Sequence, residues 1–149
     1  ALLAVRFLQP RDRSGWERLW RAYLAFYGAE RPQEVIDTTW DRLIFDGDGP
    51  NGFVALDFGG RPVGIAHYLF HVSTWSAGPS CLLQDLFVAP EARGGGIGRA
   101  LVEAVHEAAQ KGGAESFHWL VQDFDVTARR LFDKLAEKTA FVMYRWPMP

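Results

Sequence analysis

Residues 81–109, "CLLQDLFVAPEARGGGIGRALVEAVHEAA", join an apolar run, a proline, four glycines and an amphipathic run without interruption. The first part reads as a buried central strand, because it lacks the polar alternation of a half-exposed one. Pro90 closes it, since proline cannot donate to a sheet ladder. Past the glycines, Ile97, Leu101, Ala104, Val105 and Ala108 recur on one helical face, and Gly112-Gly113 stops a helix over 97–110. A strand fed through glycines into a helix start turns successive backbone N–H groups toward one point. The positive end of the helix dipole lies behind them. The segment predicts an anion cradle built of main chain at Gly94, Gly95, Gly96, Ile97 and Gly98, with Arg93 and Arg99 as cationic flanks.

Two familiar phosphate loops do not fit this spacing. A nucleoside-triphosphate loop places Lys and Ser or Thr after its last glycine, whereas Gly98 precedes Arg99-Ala100. A dinucleotide fingerprint needs G-x-G-x-x-G; its third glycine falls on Arg99 when counted from Gly94 and on Leu101 when counted from Gly96.

The rest of the chain predicts one mixed α/β domain over 1–149. "AVRFLQP" reads as a strand. Trp16, Leu19, Trp20, Tyr23, Leu24 and Tyr27 are spaced for a helix that Gly28 ends, and 31–46 reads as a second helix. Two strands flank Gly59-Gly60 as a hairpin. "ESFHWLVQ" predicts a strand, Ala128, Leu131, Phe132 and Leu135 a helix that Asp125 or Thr127 can cap, and "AFVMYRWP" a final strand. The order is β-α-α-β-β-β-α-β-α-β. A net charge of −2 with scattered Lys and Arg gives no footprint for nucleic acid. The single Cys81 excludes an internal disulfide, and with four dispersed histidines no metal is expected. No apolar run reaches the roughly 20 residues of a membrane span, and "ALLAVRFLQPRDR" does not resemble a signal peptide, so a cytoplasmic protein is expected.

The segment "DLFVAPEARGGGIGRALVEAVHEAA" resembles the central motif of the GCN5-related N-acetyltransferases (GNAT), Q/R-x-x-G-x-G/A, with Arg93, Gly96 and Gly98 at its defined positions. The likeness extends over most of the chain, and "VGIAHYLF" with "FHWLVQDFDVTARRLFDKL" resembles the spermidine/spermine and related small-amine acetyltransferases. It implies a twisted, mostly antiparallel sheet of six to seven strands with helices on both faces. It also implies acetyl-CoA as co-substrate, a small amine acceptor such as a polyamine, diamine or amino acid, and a homodimer pairing through the late strand. The glycine loop would hold the pyrophosphate, and Leu86, Phe87 and Val88 the pantetheine arm by main-chain bonds. Asp125 and Ala128, at the N-x-x-A positions of the family, would lie on the coenzyme's exit side.

Acetyl transfer needs a neutral amine, a donor to the oxyanion and a proton for the thiolate. Deprotonating an ammonium of pKa ~10.4 at neutral pH costs about 4.6 kcal/mol. A backbone N–H of the strand 85–88 is the implied oxyanion donor. Where the polyamine enzymes carry a carboxylate base this chain has Gln84, which can only orient a water, leaving Asp85 as base or substrate anchor. The family's tyrosine acid is replaced by Phe132, so Tyr144 and Tyr68 are the remaining phenols on core strands. Glu30, Glu34 and Asp37 are candidates to attract a cationic amine, or else form a solvated helix face. Trp40 and Trp75 are candidate pocket walls, and His67, His71 and His118 candidate proton relays. Protein acetylation and a non-catalytic acyl-CoA-binding domain are the alternatives to a small-amine transferase.

Overall fold

The helical aromatic stripe beginning at Trp16 organises the first half of the chain. In the computed structural model, which describes residues 2–149, β1 (Leu2–Phe7) leads through a 3-10 turn into α1 (Arg13–Phe26) and α2 (Gln33–Phe45). β2 (Asn51–Asp57), β3 (Pro62–His71), β4 (Ser80–Val88), α3 (Ile97–Lys111), β5 (Ser116–His118) and α4 (Val126–Leu135) follow. The chain forms two compact units, one ending at Trp119 and one spanning Leu120–Pro149. The five-stranded sheet, in the order β1-β2-β3-β4-β5, lies in the first. It is antiparallel from β1 to β4, and β5 adds to β4 in parallel.

Strand alternation sends successive side chains to opposite faces, and both faces are covered. Val54, Ile65 and Phe87 lie across from one another in the ladders and pack with Trp16, Leu19, Ile36 and Trp40 of α1 and α2. Trp16 is fully buried, its ring 5.0 Å from that of Trp40. Gly64, one residue before Ile65, faces α3: a methyl group there would stand 3.0 Å from Leu101 Cδ1. α3 buries Ile97, Leu101, Val102, Val105 and Ala109 against this side. Each large apolar side chain so enclosed contributes roughly 1.5–3 kcal/mol.

The mixed α/β order stands as predicted through the fourth helix, with five strands rather than six or seven. β5 covers three residues, Ser116–His118, where eight were expected, and residues 136–149 carry no strand. Valine, tyrosine and tryptophan favour a strand only when a neighbouring ladder and a surface to pack on are present. Phe141, Tyr144 and Trp146 are exposed, and two prolines, Pro147 and Pro149, close the segment. The late strand on which a homodimer was expected to pair is therefore not formed. No helix among the described residues is long and apolar enough to cross a membrane.

Candidate active site

β4 carries a discontinuity that its sequence does not announce. The β3–β4 ladder pairs His67 with Asp85 and Tyr68 with Leu83, so Gln84 is an extra residue without a partner. In a regular strand Gln84 and Asp85 would point to opposite faces; a bulge re-aims side chains and removes that restriction. Both line one cavity of about 340 Å³, together with Trp20 of α1, Arg42 of α2, Asp48 and His67.

A buried polar chain forms the floor of this cavity. Trp16 Nε1 donates to His67 Nε2 at 2.9 Å, and His67 Nδ1 lies 3.0 Å from Asp85 Oδ2. An indole N–H can only donate, so His67 Nε2 must offer its lone pair. The imidazole is thus neutral, and its proton sits on Nδ1 and is donated to the Asp85 carboxylate. His67 is almost wholly buried and Asp85 largely so. Tyr23 of α1 stands beside the same carboxylate. Burial first, then the Asp85 charge, pushes its phenol well above the ordinary range, so it keeps its proton. The aromatic stripe that predicts α1 thus also supplies two polar groups to the site, the Trp16 indole and the Tyr23 phenol, a role its spacing alone does not reveal.

The far end of β4 presents main chain. β5 pairs with β4 only at Ser80, Cys81 and Leu82. Beyond Leu82, β4 has no strand on that side among the described residues, so over 83–88 its outer main chain pairs with no neighbouring strand, and Val88 O alone is taken, by Arg93. After Pro90–Ala92 the loop turns through Gly94 at φ +86° and Gly96 at φ +81° before α3 begins at Ile97. Both are left-handed conformations that a side chain strains. Gly96 is the N-cap, and its carbonyl accepts from Ala100 N. The N–H groups from Gly94 to Arg99 have no acceptor among the described residues. Arg93 ties this loop to the strand: its Nε donates to Val88 O at 3.0 Å and its guanidinium lies over the Phe87 ring. Arg99 pairs with Glu103 on the exposed side of α3. An array of unpaired N–H donors at a helix start fits a phosphate or pyrophosphate group.

Several candidates fall elsewhere. Trp40 belongs to the core against Trp16 and does not wall the cavity, because α2 turns it inward. Trp75 is 89% exposed on the β3–β4 connection and is likewise not a cavity wall. Glu30 lies exposed in the α1–α2 connection, away from the cavity lining. Asp37 is bound by Arg13 and Gln33 in a surface network between the two helices. Tyr68 is a core residue stacked on Phe53, its phenol pushed up to about 12 by burial and then by Cys81. His71 and His118 face each other at 6.0 Å away from the cavity, and burial, then His71, holds His118 below the ordinary histidine range. Tyr144, Asp125, Ala128 and Phe132 belong to the second unit, where Asp125 Oδ1 caps α4 by accepting from Ala128 N at 3.1 Å.

A larger hollow of about 670 Å³ lies between the start of α1 and the β2–β3 hairpin, lined by Arg6, Arg11, Arg18 and Arg61. Its one carboxylate, Asp12, is held by Arg6 at 2.7 Å. Four guanidinium groups repel an ammonium, so the smaller cavity at Asp85 is the one suited to an amine. Among the described residues no group of three or more His, Cys, Asp or Glu is placed to hold a metal.

The acetyltransferase (GNAT) family profile matches residues 16–136. A D-amino-acid N-acetyltransferase of Saccharomyces cerevisiae is 33% identical over 144 residues, spanning 96% of this chain and 89% of that protein. A thialysine N-epsilon-acetyltransferase of Bos taurus is 37% identical over 117 residues, 71% of this chain and 68% of that one. An aminoglycoside N-acetyltransferase, AAC(6')-Iy, solved with CoA, superposes with a TM-score of 0.83 at 16% identity, covering 99% of this chain and 96% of its own, which speaks to the fold. Profile, relatives and the glycine loop at the end of β4 agree: this chain belongs to the acetyltransferase (GNAT) family.

Proposed function

We propose that the protein transfers the acetyl group of acetyl-CoA to a primary amine of a small molecule, by direct attack in a ternary complex. One observation carries this reading. A single strand, β4, offers a cavity carboxylate at its bulge and open main chain leading from there to the glycine loop. At about 3.3 Å per residue, Asp85 and Val88 are roughly 10 Å apart along that strand. The amine and the coenzyme's arm thereby meet on one rigid element.

Acetyl-CoA supplies the activated acyl group; the protein's part is placement and proton handling. The N–H groups of Gly94, Gly95, Gly96, Ile97, Gly98 and Arg99 hold the pyrophosphate, and the edge of Leu86, Phe87 and Val88 holds the arm as an added strand would be held. Asp85 anchors the ammonium and takes its proton, directly or through a water held by Gln84; the neutral amine attacks the thioester carbonyl, the C–S bond breaks, and the departing thiolate takes a proton from water or from the amine nitrogen as the amide forms. His67 keeps the Asp85 carboxylate aimed into the cavity. Relatives acting on D-amino acids and thialysine support a small amine as acceptor.

Acetyl-CoA is incubated with polyamines, diamines, amino acids and peptides while free thiol is followed. Turnover of small amines is expected. Tight coenzyme binding with no turnover of any acceptor leaves only a non-catalytic acyl-CoA-binding domain, and turnover of peptides alone moves the acceptor to proteins.

A further inference from the structure

The charged lining of the acceptor cavity narrows the kind of amine that enters it, given the transferase reading above. Asp85 carries one negative charge at the bulge and Asp48 a second in the turn before β2, while Arg42 contributes one positive charge from the last turn of α2. His67 adds none, because the Trp16 N–H occupies its Nε2. Neither Arg42 nor Asp48 has a side-chain hydrogen bond or ion pair among the described residues. By contrast, Arg21 on the neighbouring helix is held by Glu17 and Gln33. An unpaired guanidinium and an unpaired carboxylate that open on one cavity call for a ligand bearing the opposite charges.

We infer that the acceptor is a basic amino acid, a molecule with one carboxylate and two amines. Its carboxylate meets Arg42, one ammonium meets Asp48, and the amine that reacts meets Asp85. A guanidinium fork matches a carboxylate with two parallel N–H···O bonds, which no amine can replace. A diamine or polyamine, cationic along its length, brings like charge against Arg42 and is rejected there. An amino acid with an apolar side chain leaves Asp48 unpaired. The apolar flank formed by Trp20, Leu43 and Leu69 accommodates the methylenes between the charged ends.

Matched acceptors separate the three contacts. Lysine is compared with cadaverine, which lacks the carboxylate, and with norleucine, which lacks the second amine, by kcat/KM from thiol release. Lysine is expected to exceed each by about tenfold or more. Arg42→Gln should lower the lysine-to-cadaverine ratio by about tenfold or more, and Asp48→Asn the lysine-to-norleucine ratio likewise. Acetyl-CoA affinity of both variants, measured by calorimetry, reports that they fold. Cadaverine turned over as well as lysine, with a ratio that Arg42→Gln leaves unmoved, overturns this assignment and leaves the transferase standing. No turnover of any acceptor overturns both.

Discussion

Trp16 and His67, 51 positions apart in sequence, share one buried hydrogen bond, and it determines which nitrogen of the imidazole faces Asp85. The indole keeps Nε2 unprotonated, so Nδ1–H is always available to the carboxylate. His67→Leu removes that donor and leaves both the Trp16 N–H and Asp85 without their partner. We expect kcat to fall about tenfold or more and stability to drop by about 1–3 kcal/mol. His67→Asn, whose amide can reach Asp85 from nearly the same place, should recover part of the rate. Steady-state kinetics beside urea unfolding checks both; a full rate in His67→Leu removes the pair from the mechanism.

Asp85→Asn keeps the shape of the bulge and removes the charge. Loss of a proton acceptor typically costs 10²–10⁴-fold, so kcat should fall by roughly that range while acetyl-CoA affinity stays within about a factor of two. Kinetics at saturating coenzyme with parallel calorimetry distinguishes the two effects. Comparable losses in both would place Asp85 in coenzyme binding instead.

Gly96, at φ +81°, caps α3 and precedes the open N–H groups of its first turn. Gly96→Asp imposes a left-handed cost of about 1–2 kcal/mol. It also sets a carboxylate where the pyrophosphate belongs. Coenzyme affinity should fall at least about tenfold, measurable by calorimetry with CoA, with far-UV circular dichroism unchanged.

Asp12 gives the fold an acid limit. Burial opposes its ionisation, but the Arg6 guanidinium and the Gln9 N–H outweigh burial and hold the carboxyl below its ordinary value. A carboxyl lowered in the folded state stabilises fully above its unfolded pKa of about 3.9 and progressively less as pH falls through the folded value. Urea midpoints should therefore decline below about pH 4. Asp12→Asn should be less stable at pH 7 and lose less of its stability between pH 5 and 2.5; parallel curves for the two proteins would contradict the pairing.

Cys81 is fully buried and its thiol is pushed up to about 11 by burial. Thiolate is the reactive form, so native protein at pH 8 should react with Ellman's reagent orders of magnitude more slowly than unfolded protein. The comparison in buffer and in 8 M urea tests this, and a slow native reaction leaves the thiol-release assay free of background.

The glycine loop, its strand and its helix were legible because each rests on local chemistry: a proline stop, a left-handed N-cap, a 3.6-residue apolar stripe. Asp85 was visible as a carboxylate on that strand. Its partner, His67, was one of three candidate histidines, but their pairing was not visible, because the bulge at Gln84 changes the parity of the ladder, and which residue of β3 lies opposite Asp85 depends on that shift. Trp40 and Trp75 read alike in sequence, yet one is core and the other exposed, since an aromatic residue does not disclose which side of its element faces inward. Arg42 and Asp48 in the cavity lining, and Tyr23 beside Asp85, went unmarked for a similar reason: they lie on three segments that only tertiary packing brings together. The final strand was inferred from β-favouring residues alone, and residue type does not supply a neighbour to pair with.

The open edge of β4 and the glycine loop present main-chain groups, whereas the bulge end presents particular side chains. Substitutions around the cavity can therefore redirect the protein to another amine without touching the means by which it keeps its acyl donor. The same strand is indifferent to sequence at one end and exacting at the other, so new acceptor specificities are open to this fold through changes at a few side chains.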